Sequence, residues 1–287
     1  LLAGDVDAFA RVTPRSVAQF KANPRFQVVV SGSRAKTILA INNDRKPLND
    51  VRVRRALSMA IDRQLGEANL PRVIAIKDHN PVFRSNSRYA LAAPALAALP
   101  GYGKDANRAR EEARALLKAA GVPELKITLL APNTRDPFES LAIFLADAWR
   151  RAGVTVDIRA MDSAGYLAAK SAGDFDAVID WLSPVSDHPT EVLEKFVPGS
   201  ANNATATDDA RLMSLYQQIK RENDSAALVR LTREFQQQLL EQAHVAPLYW
   251  ATRTIAVPRD LRGWSSPPSF YLGMDHAELW RDLSANR

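Results

Sequence analysis

Cysteine is absent from the 287 residues. That excludes disulfides, thiolate metal sites and cysteine nucleophiles, and it is compatible with either redox compartment. Long apolar runs are missing as well: Leu91 to Leu99 is short and interrupted by Pro94, far from the twenty or so residues a membrane-spanning helix needs. The opening Leu-Leu-Ala-Gly-Asp-Val-Asp-Ala-Phe has no basic region and no cleavage pattern of a signal peptide. No Gly-rich phosphate loop follows a strand and opens a helix, so no cofactor is expected. The four histidines, His79, His188, His244 and His276, have no metal-ligand spacing. Gly32-Ser33 and Gly199-Ser200 lack the strand-turn-helix frame of a nucleophilic serine. An enzyme has little to stand on.

Basic residues outnumber acidic ones, 38 to 32, but the excess of +6 is spread along the chain. The densest basic clusters lie on helices beside Glu111, Glu112 and Asp147. A stripe of Lys and Arg with interleaved aromatics is not found, so a solvated basic surface is expected and nucleic acid is not.

The stretch that organises the chain is Asn49 to Arg63. Val53, Ala56, Leu57, Ala60 and Ile61 form one apolar stripe at helical spacing. Asp50 sits where its carboxylate can accept N–H bonds from the first turn. Arg52, Arg54, Arg55 and Arg63 fall off the stripe or at its edge. Before it, residues 5–12 read as a strand, 16–21 as a short helix, and 26–30 and 37–41 as two extended runs separated by Ser31-Gly32-Ser33.

Prolines at 71, 81, 94 and 100 break up the region that follows. A regular alternation then begins. Helix 107–120, capped by Gly121, leads to strand 125–130. Helix 138–152, with Phe138 facing inward and Gly153 as cap, leads to strand 154–158. Helix 163–172, ended by Gly173, leads to strand 175–181. Helix–Gly–strand repetition predicts α/β layers joined by helical crossovers. Two more helices, with Leu212 to Ile219 and Leu228 to Leu239 inward, precede a long extended segment, 245–257, broken by Pro247. The tail carries Trp264, Tyr271 and Trp280.

Taken with the preceding Ile-Asn-Asn-Asp-Arg-Lys-Pro-Leu, the organising stretch closely resembles a segment of the family-5 solute-binding proteins of bacterial ABC importers. Further pieces match in order. Residues 2–9 look like the family's opening strand, and 105–121 like its A-x-x-x-A-x-x-L-L-x-x-A-G helix. Residues 145–156 resemble its L-x-x-x-G-I-x-V unit loosely. Gly173-Asp174-Phe175-Asp176 with Trp181 looks like G-x-F-D…W. Val245 to Tyr249 resembles its P-L-Y strand, and Leu261-Arg262-Gly263-Trp264 its V-x-G segment.

The resemblance implies an α/β fold, a periplasmic-binding-protein-like type II lobe with flanking segments of the other lobe. Residues 1–38 would be partial first lobe, 39–246 the second lobe, and 247–287 the return. The chain is then expected to be a fragment that lacks the family's N-terminal part and signal peptide. The implied function is capture of a small solute, a peptide or another small molecule, between two lobes, with delivery to an ABC permease in the membrane. A periplasmic or lipid-anchored extracytoplasmic monomer is expected. A ligand-sensing domain of a regulator is the alternative, and an enzyme a weaker one.

A binding cleft needs aromatics for apolar ligand surface and a few fixed polar groups. Trp181 at a strand end, Tyr249, Trp250 and Arg253 on the second crossing strand, and Ser183 suit it by type. Two readings stand for each. Trp181 and one of Tyr249 and Trp250 would equally serve as core, and Arg253 either holds a ligand carboxylate in a fork or is a strand charge. Asn133 and Arg135 past the 125–130 strand, and Asn42 with Asn43 at the first crossing, have the same double reading. Peptide binders of the family often place an Asp three residues after this Trp, to pair with the ligand's α-amino group. Here that position is Pro184, so a free peptide N-terminus is a less favoured ligand feature. Asp187, three further on, either meets another cation or caps the helix at 190–196.

Overall fold

The computed structural model describes residues 1–2, 12–184, 188–263 and 278–282, apart from the side chains of Ser31, Ser33, Arg34 and Arg135. Residues 5–11 of the strand expected at 5–12, Asp187 and the tail aromatics Trp264 and Tyr271 lie outside them.

Helix α1, Pro14–Ala22, leads to β1, Phe26–Ile41. The two extended runs expected there are one continuous strand, because the Ser-Gly-Ser break is absorbed as a register shift against its partner between Gly32 and Lys36. Helix α2, Val51–Met59, starts where expected, with the Asp50 carboxylate accepting from the Arg52 N–H at 2.8 Å. It ends sooner than its stripe. Asp62 caps a separate helix α3, Arg63–Asn69, so Ile61 and Arg63 lie beyond the turn.

Arg54 and Arg63 are buried rather than lining a polar edge. Arg54 donates to the carbonyls of Leu48, Asn49 and Gln242. Arg63 donates to those of Ser58, Gly101 and Pro247. Their long stems reach past the apolar stripe and their planar forks tie together backbone carbonyls from separate segments.

After α4, Ala93–Ala97, and α5, Ala106–Ala119, come β2, Lys126–Pro132, α6, Ser140–Arg151, β3, Thr155–Met161, α7, Ser163–Ser171, and β4, Ala177–Leu182. The expected glycine caps hold, with φ of +77° at Gly121, +90° at Gly153 and +66° at Gly173, a region open to glycine without a Cβ penalty. Helices α8, Pro189–Leu193, α9, Ala210–Arg221, and α10, Ser225–Glu241, follow. Then come β5, Val245–Pro258, and the short β6, Leu261–Arg262, and β7, Trp280–Arg281.

The main sheet has the order β3-β2-β4-β1-β5. β3, β2 and β4 are parallel, and β1 runs antiparallel to both β4 and β5. One face carries Leu39, Ile41, Leu129, Ala177 and Ile179 against α2, α5 and α6. On the other, Ala40, Leu130 and Val178 meet α7, while Ile38 and Leu182 meet α8 to α10.

The two crossing passages lie side by side, with Leu39 opposite Ala246 and Phe26 opposite Pro258. Pro247 does not break the second. It faces Ile38 at another register shift, where the ladder needs no N–H from it. Past Lys36, β1 leaves β4, and 26–32 with 252–258 continue as a ribbon beyond the sheet.

Candidate functional site

Parallel neighbours whose following connections go to opposite faces of a sheet leave a crevice outside their carboxyl ends. β2 and β4 are such a pair: the chain passes from β2 to α6 on the first face and from β4 to α8 on the second. In that crevice the rings of Phe138, just before α6, and Trp181, near the end of β4, meet with centroids 5.7 Å apart. Tyr166 of α7 stacks on Trp181 at 5.9 Å and 20°. The Tyr166 hydroxyl donates to the Ile179 carbonyl at 3.0 Å, which fixes this support. Trp181 remains 39% exposed, a large apolar surface left open on a braced shelf.

Beneath the shelf lies Asp180, wholly buried. Its Oδ1 accepts from the Trp181 N–H at 2.9 Å and from Lys170 Nζ at 3.1 Å. Its Oδ2 accepts from Lys195 Nζ at 2.7 Å, and Lys195 also donates to the Trp181 carbonyl at 2.7 Å. Burial pushes the Asp180 carboxyl up, but the ammonium groups of Lys195 and Lys170 outweigh it and hold the group below its ordinary value. At Lys195 burial dominates and lowers the ammonium, with Asp180 restoring part of the loss. Lys170 also lies 5.5 Å from the Trp181 ring centroid. Two ammonium groups on one carboxylate leave this trio with a charge of 2 − 1 = +1. Each ammonium has three N–H donors, and its bonds to Asp180 and the Trp181 carbonyl use no more than two of them. An open concavity of about 250 Å³ adjoins, lined by Trp181, Ser183, Pro184, Glu191, Lys195 and Asn202.

Among the expected site residues, Trp181 and the exposed Ser183 line this concavity. Asn133 is exposed just past β2, its N–H donating to the Met161 carbonyl at 2.7 Å. Arg135 enters the turn before α6, but its side chain is outside the description, as is all of Asp187.

The others are not brought to the crevice. Asn42 sits at the opposite end of β4, since Ile41 pairs with Ala177 while Thr37 pairs with Trp181. Its amide is buried and donates to the carbonyls of Gly173 and Phe175. Tyr249 is core. Its hydroxyl donates to the Arg63 carbonyl at 3.2 Å, and a Cβ on Gly66 would fall 1.8 Å from that oxygen. Trp250 is buried at the crossing, its indole N–H on the Asn80 carbonyl. Arg253 is buried on the ribbon, opposite Ser31.

Phe138, Tyr166, Lys170, Asp180 and Lys195 escaped the sequence reading as site residues. One signal was available: Asp180 is the only charge in the apolar run of β4, and a buried acid needs partners. The described residues include no group of three or more His, Asp or Glu able to hold a metal. They include no helix long and apolar enough to cross a membrane.

Residues 1–204 match the family described as bacterial extracellular solute-binding proteins, family 5 middle. The periplasmic oligopeptide-binding protein OppA of Escherichia coli K12 is 28% identical over 215 residues, covering 73% of this chain and 38% of OppA. The periplasmic murein peptide-binding protein MppA of the same organism is 26% identical over 274 residues, covering 92% of this chain and 49% of MppA. A solved structure of MppA superposes with a TM-score of 0.80 at 25% identity, over 92% of this chain and 51% of that one. The substrate-binding protein CtaP of Listeria monocytogenes gives 0.83 at 16% identity, over 97% and 56%, a likeness of fold. The chain thus spans half or less of the length of these curated relatives.

Proposed function

We propose, from the premise that this chain belongs to the family-5 bacterial extracellular solute-binding proteins, that it is the greater part of one lobe of an ABC importer's substrate-binding component, with the strands that join it to the other lobe. The lobe comprises residues 39–246, and 1–38 and 247–287 run into its counterpart. The protein works outside the cytoplasm, in the periplasm or anchored at its membrane, and hands its ligand to a permease. It binds as a monomer and makes or breaks no bond. A ligand touching both lobes favours the closed form by its differential affinity for that form.

The observation that carries this reading is the crevice at the carboxyl ends of β2 and β4. It sets an exposed, braced Trp181 beside spare ammonium donors, next to two strands that leave the sheet together. The relatives OppA and MppA are named for oligopeptides and murein peptides, and a peptide suits the crevice. An apolar side chain would lie on Trp181, and a carboxylate or backbone carbonyl would face Lys170 and Lys195. Asn133, Ser183, Arg135 and Asp187 are the further residues we assign to its rim.

The test is a fluorescence titration of the two-lobed protein with di- and tripeptides, beside its Trp181→Ala variant. Loss of the braced aromatic surface should weaken binding roughly tenfold to a hundredfold, as removal of a well-packed aromatic anchor of about 1.5–3 kcal/mol does. The melting temperature should fall modestly, because the ring packs on Phe138 and Tyr166, but the fold should persist, because the ring is 39% exposed already. Unchanged affinity for every bound peptide would refute the site.

A further inference from the structure

Two bodies that rotate about paired strands need something to set their angle at rest, and one side chain here spans the register shift where β1 leaves the sheet. Beyond Lys36, β1 has left β4 and pairs with β5 alone. Trp250, opposite Lys36 in register, sits at that departure. It is pinned to a segment of the lobe: its N–H donates to the Asp78 carbonyl at 2.8 Å, and its carbonyl accepts from the Lys77 N–H at 2.9 Å. Its indole N–H donates to the Asn80 carbonyl at 2.9 Å. Lys36, wholly buried, brings Nζ within 5.1 Å of the Trp250 ring centroid and donates to the Leu248 carbonyl at 3.2 Å.

Arg84 belongs to the lobe, since the preceding Val82 and Phe83 are buried in the core of α8 to α10. Its guanidinium lies 5.1 Å from the same Trp250 ring. It then reaches past the register shift to Gly32 on the ribbon, so closely that a Cβ there would fall 2.6 Å from Nη1. Gly32 has no positive φ to explain it. The missing side chain is the space the guanidinium occupies.

We propose that Arg84, seated on Trp250 and Gly32, is a positioning residue that holds the ribbon at a fixed angle to the sheet and so sets the resting angle between the lobes. Its role in lobe closure rests on the binding-protein reading above. Its geometry does not. Turning the ribbon about the Gly32–Lys36 shift slides Gly32 under the guanidinium, and a Cβ at Gly32 would force the end of that side chain to move off its present seat.

The absence of cysteine permits a direct measurement. Cysteines introduced at Val30 on the ribbon and Leu167 on α7, exposed by 59% and 53%, would carry spin labels for a distance distribution on this chain without ligand. The parent should show one narrow distance. Arg84→Ala should raise the fraction of molecules outside it roughly threefold to tenfold, the range that loss of a desolvated cation–π contact gives. Gly32→Ala should act in the same direction by unseating the guanidinium while keeping its charge, and it decides the matter if Arg84→Ala fails to fold. A distribution unchanged in both variants, or changed in Arg84→Ala alone, would overturn the proposal. No ligand enters the measurement, so its failure is separable from failure of the peptide titration.

Discussion

At the scale of single residues, the crevice rests on one buried carboxylate. Asp180 has no access to water and accepts from a backbone N–H and two ammonium groups. Its pKa is depressed in the folded state, so the stabilisation it contributes is present above the ordinary carboxylate value and is lost as pH falls through that value and below. Asp180→Asn leaves Lys170 and Lys195 without a counter-charge and should destabilise by about 3–5 kcal/mol at neutral pH. The gap between parent and variant should narrow as pH drops below about 4, where the carboxyl protonates in the unfolded chain, and close only at lower pH, where it protonates in the folded parent. Urea unfolding at a series of pH values measures both, and a gap independent of pH would show that the pairing is not what stabilises. Little of this trio was legible beforehand. Lys170, Asp180 and Lys195 lie on α7, on β4 and in the turn after α8, and nothing in their spacing says that the first and the last converge on the strand. Trp181 was legible as a strand-end aromatic, but the ring it meets, Phe138, has the spacing of the α6 stripe and was read as core.

At the scale of elements, what was legible was local chemistry. The cap expected at Asp50 sits on α2, glycines end three of the helices that precede strands, and Asp105, Asp162, Asp209 and Asp224, not singled out beforehand, cap α5, α7, α9 and α10 by the same local chemistry. Caps and left-handed turns are decided within a few residues, so they show in a single sequence. Elements tied together by distant groups do not show. Arg63 stands at the first turn of α3, and its fork takes the carbonyls of Ser58 at the end of α2, Gly101 in a turn, and Pro247 on β5, while stacking 4.3 Å from the Tyr102 ring. It has the look of a surface charge on the helix wheel and the role of a rivet between three segments. Arg63→Ala should cost roughly 2–4 kcal/mol, because it removes a buried guanidinium together with its hydrogen bonds to Ser58, Gly101 and Pro247. Arg52→Ala, with its side chain half exposed on Asp50, should cost far less, because a solvated ion pair contributes little. Comparing the two urea midpoints checks the assignment, and similar losses would contradict it.

At the scale of the whole molecule, the question is where the lobe stops. The alternation of helix, glycine and strand made the α/β class legible, and the family resemblance supplied boundaries at 38 and 246. The packing continues across the second of them. Leu248 and Tyr249 are wholly buried in the same core as Leu39, Ile41, Leu57 and Trp149, and the Trp149 indole N–H donates to the Leu57 carbonyl at 2.8 Å within it. Trp250 and Lys36 close its far edge. A sequence pattern cannot reveal this, because a strand that crosses between two bodies has the same alternation as one that belongs to either. Excising residues 39–246 would strip Leu248, Tyr249 and Trp250 from the lobe. At about 1.5–3 kcal/mol for each large buried side chain, the loss is comparable with the whole stability of an ordinary domain, about 5–15 kcal/mol. That piece should show no cooperative transition by calorimetry, whereas residues 26–258, which keep β1 and β5 paired along their length, should unfold in one. A sharp transition in the shorter piece would mean that the crossing strands only pass over the lobe, and that its core is complete without them.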